Sequence, residues 1–109
     1  MKNITDINLL NEIKSNSAVF ILFGSAHCSV CNSILPQLES MLNQQFPDMH
    51  LIYVDCEKSP DICAQYSVFA LPVVKAYIDG MKVIEEARAF SIKQLAQKLE
   101  RAYSMWKNQ

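Results

Sequence analysis

Cys28 and Cys31 are separated by Ser29 and Val30, and they follow an apolar run, Ala18-Val19-Phe20-Ile21-Leu22-Phe23, that Gly24 closes. Such a run suits a strand buried on both faces. After it, Ile34, Leu38, Met41 and Leu42 predict a helix from about Cys28 to Gln45. The first cysteine therefore stands at a helix start, where unpaired backbone N–H groups and the positive end of the dipole favour a thiolate. A two-residue spacing lets the second sulfur reach the first. The pair can close a disulfide, or the second thiol can resolve a mixed disulfide held by the first. Zinc knuckles and plain structural thiols share this spacing; the strand-to-helix context is what favours redox chemistry over them.

The remaining elements follow from periodicity and punctuation. Thr5 is placed to cap a helix running to about Ser15, with Ile7, Leu10 and Ile13 on one face. Pro36 falls inside the long helix and is expected to kink it, because it removes a donor and crowds the preceding turn. His50 to Asp55 reads as a second buried strand, and Ser59-Pro60-Asp61 opens a short helix ending near Tyr66. Val73 to Ile78 is a third strand, Asp79-Gly80 a tight turn, and Met81 to Glu86 its returning partner. Ser91 caps a last helix striped by Ile92, Leu95, Leu99, Ala102 and Trp106. The order is αβαβαββα. Strands joined through a helix are expected to run parallel and the hairpin antiparallel, giving an α/β fold with a mixed sheet and helices on both faces.

Composition agrees with one soluble domain over residues 1–109, at 50% hydrophobic and 19% charged residues. A net charge of −1 lacks the basic footprint of a nucleic-acid binder. Asp6, Asn8, Asn11 and Glu12 interrupt any signal-like apolar run, and no stretch has the length of a membrane span. The expected setting is the cytoplasm, with no membrane and no nucleic acid as partner.

These landmarks resemble the thioredoxin family over nearly the whole chain. Cys28 and Cys31 match its dithiol, and Pro36, five residues after Cys31, matches its kinking proline. Pro72, in Ala70-Leu71-Pro72-Val73, matches its cis-proline, and Gly80 its hairpin glycine. The resemblance implies a thioredoxin-like fold with four to five strands. It makes Cys28 and Cys31 the catalytic residues and the redox disulfide. It gives Leu71 and Pro72, with His27, Val30 and Arg88, to the substrate-binding rim, where the backbone of Leu71 pairs with an extended substrate. It implies no bound cofactor and no metal. Protein disulfides are the implied substrates, and the implied electron donor is of the thioredoxin-reductase type.

The chain also departs from the family. His27-Cys28-Ser29-Val30-Cys31 stands in place of Trp-Cys-Gly-Pro-Cys, and Gly24 in place of a second tryptophan. The family's buried carboxylate, six residues before the first cysteine, is Leu22 here, and the lysine expected beside it is missing from His50-Leu51-Ile52-Tyr53-Val54. Arg88 aligns with a groove glycine. It can stabilise a thiolate, obstruct the groove, or simply point outward. His27 is either a cation or proton carrier beside Cys28 or an exposed loop residue.

Cys56 and Cys63 lie seven apart in a segment resembling protein disulfide isomerase domains, some of which pair these cysteines. In a reducing cytoplasm they are expected to be free thiols. Two alternatives to a disulfide oxidoreductase stay open at this point: a docking module or redox sensor on the same fold, and a metal site at Cys28 and Cys31.

Overall fold

A computed structural model describes residues Met1–Gln109. The elements are β1 (Lys2–Asn3), α1 (Ile7–Asn16), β2 (Ala18–Gly24), α2 (Ser29–Gln45), β3 (His50–Asp55), α3 (Pro60–Gln65), β4 (Val73–Ile78), β5 (Met81–Ala87) and α4 (Ile92–Lys107). The five strands lie in the order β1-β3-β2-β4-β5.

Every residue of β2 is buried, as its unbroken apolar run requires of a central strand. Its side chains alternate between two cores. Phe20 and Leu22 join Leu38 and Leu42 of α2 and Leu95 and Leu99 of α4 on one face. Val19, Ile21 and Phe23 join Leu10 of α1 and Ile62 of α3 on the other. Each such fully buried side chain contributes roughly 1.5–3 kcal/mol relative to exposure. The helices thus cover both faces, and α2 continues through Pro36 as one 17-residue element.

One strand has no counterpart in the sequence reading, and two expectations need correction. The strand β1 has only two residues, yet it pairs parallel with β3 at Ile52 and Tyr53. The cap of α1 is Asp6 rather than Thr5, its carboxylate accepting from the Asn8 N–H at 2.9 Å. The strand β4 is reached through a helix but runs antiparallel to β2, whereas β3 runs parallel to it. The six-residue α3 is too short to carry the chain back along the sheet, so β4 enters beside β2 from the same end at which β3 leaves it.

That reversal fixes which loops meet. Gly24 is in register with Asp55, Phe23 with Val73, and Val73 with Ala87. The ends of β2, β3 and β5 and the start of β4 therefore form one rim. At the opposite end, Asp79 and Gly80 both have positive φ, 49° and 84°, as a hairpin turn matching strand twist demands.

Candidate active site

Beyond β2 the chain turns through Ser25, Ala26 and His27, with the Cys28 N–H donating to the Ser25 carbonyl at 3.1 Å. Asn32 reaches back from α2, its side-chain amide donating to the Ala26 carbonyl at 3.2 Å. Cys28 is the N-cap of α2, with extended backbone, and its Sγ accepts from the Cys31 N–H at 3.2 Å. An N-cap position ordinarily takes a side-chain oxygen. A sulfur there receives the same donor, which stabilises negative charge on it.

Cys28 and Cys31 form a disulfide, with Cα atoms 5.2 Å apart. The two sulfurs have unequal surroundings: Cys28 is half-buried, whereas Cys31 is entirely buried. Cys31 faces the end of β2, where Gly24 leaves a space. A Cβ on Gly24 would stand 3.0 Å from the Cys31 Cβ, 3.1 Å from its Sγ and 3.0 Å from the Tyr53 hydroxyl. A side chain at this position would crowd the second cysteine.

The loop after β3 borders the same rim. The Cys56 N–H donates to the Gly24 carbonyl at 2.8 Å. Asp55 Oδ1 accepts from the Glu57 and Lys58 N–H groups and closes that turn. Glu57 pairs with His27 at 2.8 Å, joining the two loops. The hydrogen bond and charge of Glu57 raise the His27 pKa above its ordinary value, and the His27 bond lowers that of Glu57. Both side chains are exposed, so this pair adds little to stability.

From β4's side come Leu71, half-buried, and Pro72, buried, joined by a cis peptide bond. The Arg88 N–H donates to the Pro72 carbonyl at 2.8 Å. Arg88 is exposed and holds φ of 71°, a left-handed conformation that glycine adopts without cost. Val30 is 49% exposed on the first turn of α2. The structure thus gathers His27, Cys28, Val30, Cys31, Leu71, Pro72 and Arg88 at one end of the sheet. A groove lined by Glu12, Asn16, Glu39, Asn43, Met49 and His50 lies at the other end and borders none of them.

Cys56 and Cys63 are disulfide-bonded, with Cα atoms 5.7 Å apart, contrary to the expectation of free thiols. The turn that Asp55 closes, followed by the first residues of α3, brings Cys63 back beneath the end of β3. Cys63 is only 3% exposed and packs in the core under α1 and α3. Two residues at this end escaped the sequence reading. Phe69 is 85% exposed on the loop before Pro72, and an aromatic in a turn-rich segment was the available signal. Tyr53 lies beside Leu22 in register, and the alternation of β3 puts it on the face that α2 covers.

The thioredoxin family model matches residues 1–101. Among curated proteins, the chain is 34% identical to the thioredoxin-like protein YdfQ of Bacillus subtilis over 113 aligned residues, covering 100% of both chains. It is 30% identical to the mitochondrial thioredoxin-3 of Saccharomyces cerevisiae, over 76% of this chain and 63% of that protein. Among solved structures, a Plasmodium falciparum thioredoxin superposes with a TM-score of 0.80 at 26% identity, over 90% of this chain and 98% of the other. With a dithiol at the start of α2, a mixed five-stranded sheet between two helix layers and a family match of this extent, the chain belongs to the thioredoxin family of thiol–disulfide oxidoreductases.

Proposed function

We propose that the protein reduces disulfides in protein substrates, with Cys28 as nucleophile and Cys31 as resolving thiol, residues 1–109 acting as one domain. The Cys28 thiolate attacks one sulfur of a substrate disulfide. That S–S bond breaks, and the released substrate sulfur takes a proton from solvent. Cys31 then gives up its proton and attacks Cys28, displacing the second substrate sulfur. The substrate gains two electrons and two protons, and Cys28–Cys31 becomes the disulfide.

The asymmetry of the two sulfurs carries this assignment: Cys28 is partly open to solvent and bonded by a backbone N–H, while Cys31 is wholly buried behind it. An incoming disulfide meets Cys28 first. Leu71 and Pro72 offer backbone to an extended substrate strand. His27, Val30 and Arg88 frame the approach, Arg88 favouring substrates with acidic residues beside the cystine. A thioredoxin-reductase-type donor regenerates the dithiol. No helix is long and apolar enough to cross a membrane.

Turnover of insulin disulfides with dithiothreitol as donor tests the assignment. Activity lost in both Cys28→Ser and Cys31→Ser, with the wild type active, is the expected result. A Cys28→Ser variant that retains full activity would overturn it.

A further inference from the structure

Cys31 is fully buried, and its resolving step requires a thiolate there. A buried thiolate without a hydrogen-bond donor is strongly disfavoured. The apolar neighbours supply none: Leu22 is fully buried among aliphatic side chains, and Gly24 has no side chain at all. The Tyr53 hydroxyl borders the space at Gly24, 3.0 Å from the point that lies 3.1 Å from Cys31 Sγ. That hydroxyl takes part in none of the side-chain hydrogen bonds of the fold, whereas those of Tyr66 and Tyr103 are both engaged, with Asn11 and with the Asp48 N–H. Gly24 is what lets it approach the sulfur.

We infer that Tyr53 is a positioning residue for the resolving cysteine: its hydroxyl donates a hydrogen bond to Cys31 Sγ whenever that sulfur carries negative charge, in the forward step as nucleophile and in the reverse step as leaving group. The inference rests on the roles proposed above for Cys28 and Cys31. Tyr53 keeps its proton throughout. The Cys31 proton passes to solvent, and the departing substrate sulfur takes one up. Burial first, and then the charges of Asp55 and Glu57, hold the Tyr53 phenol above its ordinary pKa, so it remains a donor at neutral pH. The charged groups facing this corner are Asp55, whose carboxylate is engaged with two backbone N–H groups, Glu57, and its partner His27. Arg88 lies across the rim, bonded through its backbone to Pro72. Apart from His27 and Arg88, which approach from the Cys28 and Pro72 loops, the charged groups around the Tyr53 phenol are acidic, so its neutral hydroxyl is the donor this corner offers to a sulfur anion.

Tyr53→Phe removes one oxygen and leaves the ring. The reduced protein is mixed with an aromatic disulfide that liberates a coloured thiolate at each step. The first burst reports attack by Cys28 and the second reports resolution by Cys31. A hydrogen bond to a charged group moves a thiol pKa by about one unit or more. In Tyr53→Phe the midpoint of the second phase therefore rises by about one pH unit. Its neutral-pH rate falls by about threefold, because the more basic thiolate is also more nucleophilic. Its high-pH plateau is equal or faster for the same reason, a signature that simple disordering does not produce. The first phase keeps its rate and pH profile. A second-phase profile that superimposes on the wild type overturns the inference. A wild type with no second phase overturns instead the roles assigned to Cys28 and Cys31. If Tyr53→Phe fails to fold, 13C-labelled tyrosine in the reduced wild-type protein gives the same decision. The Tyr53 Cζ resonance shifts as Cys31 ionises, and a resonance that stays fixed through that titration overturns the inference.

Discussion

Gly24→Ala inserts one methyl group at the most crowded point of the site. The new carbon would stand 3.0 Å from Cys31 Cβ, 3.0 Å from the Tyr53 hydroxyl and 3.1 Å from Cys31 Sγ, short of ordinary contact by a few tenths of an ångström. In the oxidised protein Cys31 Sγ is tied to Cys28, the first turn of α2 is held by the Asn32 bond to Ala26, and little can give way. Overpacking of this kind costs about 1–3 kcal/mol. In the reduced protein the Cys31 side chain can rotate away from the methyl, so the cost is smaller. If the two states differ by about 1 kcal/mol, the dithiol becomes more oxidising by roughly 20 mV. Redox equilibration against glutathione, with alkylation and mass spectrometry, measures the potential, and denaturant unfolding of each redox state measures the two stabilities. The thermodynamic cycle requires the stability difference and the potential shift to agree. A variant whose oxidised and reduced forms are destabilised equally, or whose potential moves in the reducing direction, refutes the packing argument.

Three further outcomes follow from other parts of the fold. Replacing both Cys56 and Cys63 by Ser removes a short cross-link and lowers stability by about 2 kcal/mol by loop entropy, as urea unfolding would show; an unchanged midpoint would mean the bond contributes nothing. Glu85, held by hydrogen bonds from Lys75 and Lys82, has its pKa lowered to about 2 from an ordinary 4.5. A depressed carboxylate pKa stabilises the fold above the unfolded-state value and loses that contribution as pH falls towards the folded one. Glu85→Gln is therefore less stable than wild type at neutral pH, by about 1 kcal/mol after solvent screening, and the gap narrows by about pH 3; a gap independent of pH would exclude the charge as its cause. Arg88→Gly relieves a left-handed backbone and raises the melting temperature, with a gain of about 1 kcal/mol, while Arg88→Ala does not. Equal melting temperatures for the two variants would show that the backbone at Arg88 is not strained.

Much of this was readable from residue order. The buried run ending at Gly24, the dithiol just beyond it, the Asp79-Gly80 turn and the Ser91 cap all depend on local chemistry, and local chemistry leaves a local pattern. What stayed hidden depends on tertiary geometry. Two residues of β1 cannot show an alternation, and only the edge of β3 makes them a strand. Thr5 and Asp6 are adjacent oxygen-bearing residues, and the path into α1 decides between them. The direction of β4 follows from how far a six-residue helix and a loop carry the chain. The bond between Cys56 and Cys63 follows from a Cα separation that spacing alone does not give. The approach of Tyr53 to Cys31 needed the register of β2 on β3, the absence of a side chain at Gly24, and the docking of α2 together.

The division of labour between the two sulfurs is open to one direct test. Cys31→Ser, reduced and mixed with a protein disulfide, should stall after the first exchange and accumulate a covalent adduct, which peptide mapping by mass spectrometry would place on Cys28. An adduct on another cysteine, or none while Cys28 remains fully reactive to alkylation, would contradict the mechanism.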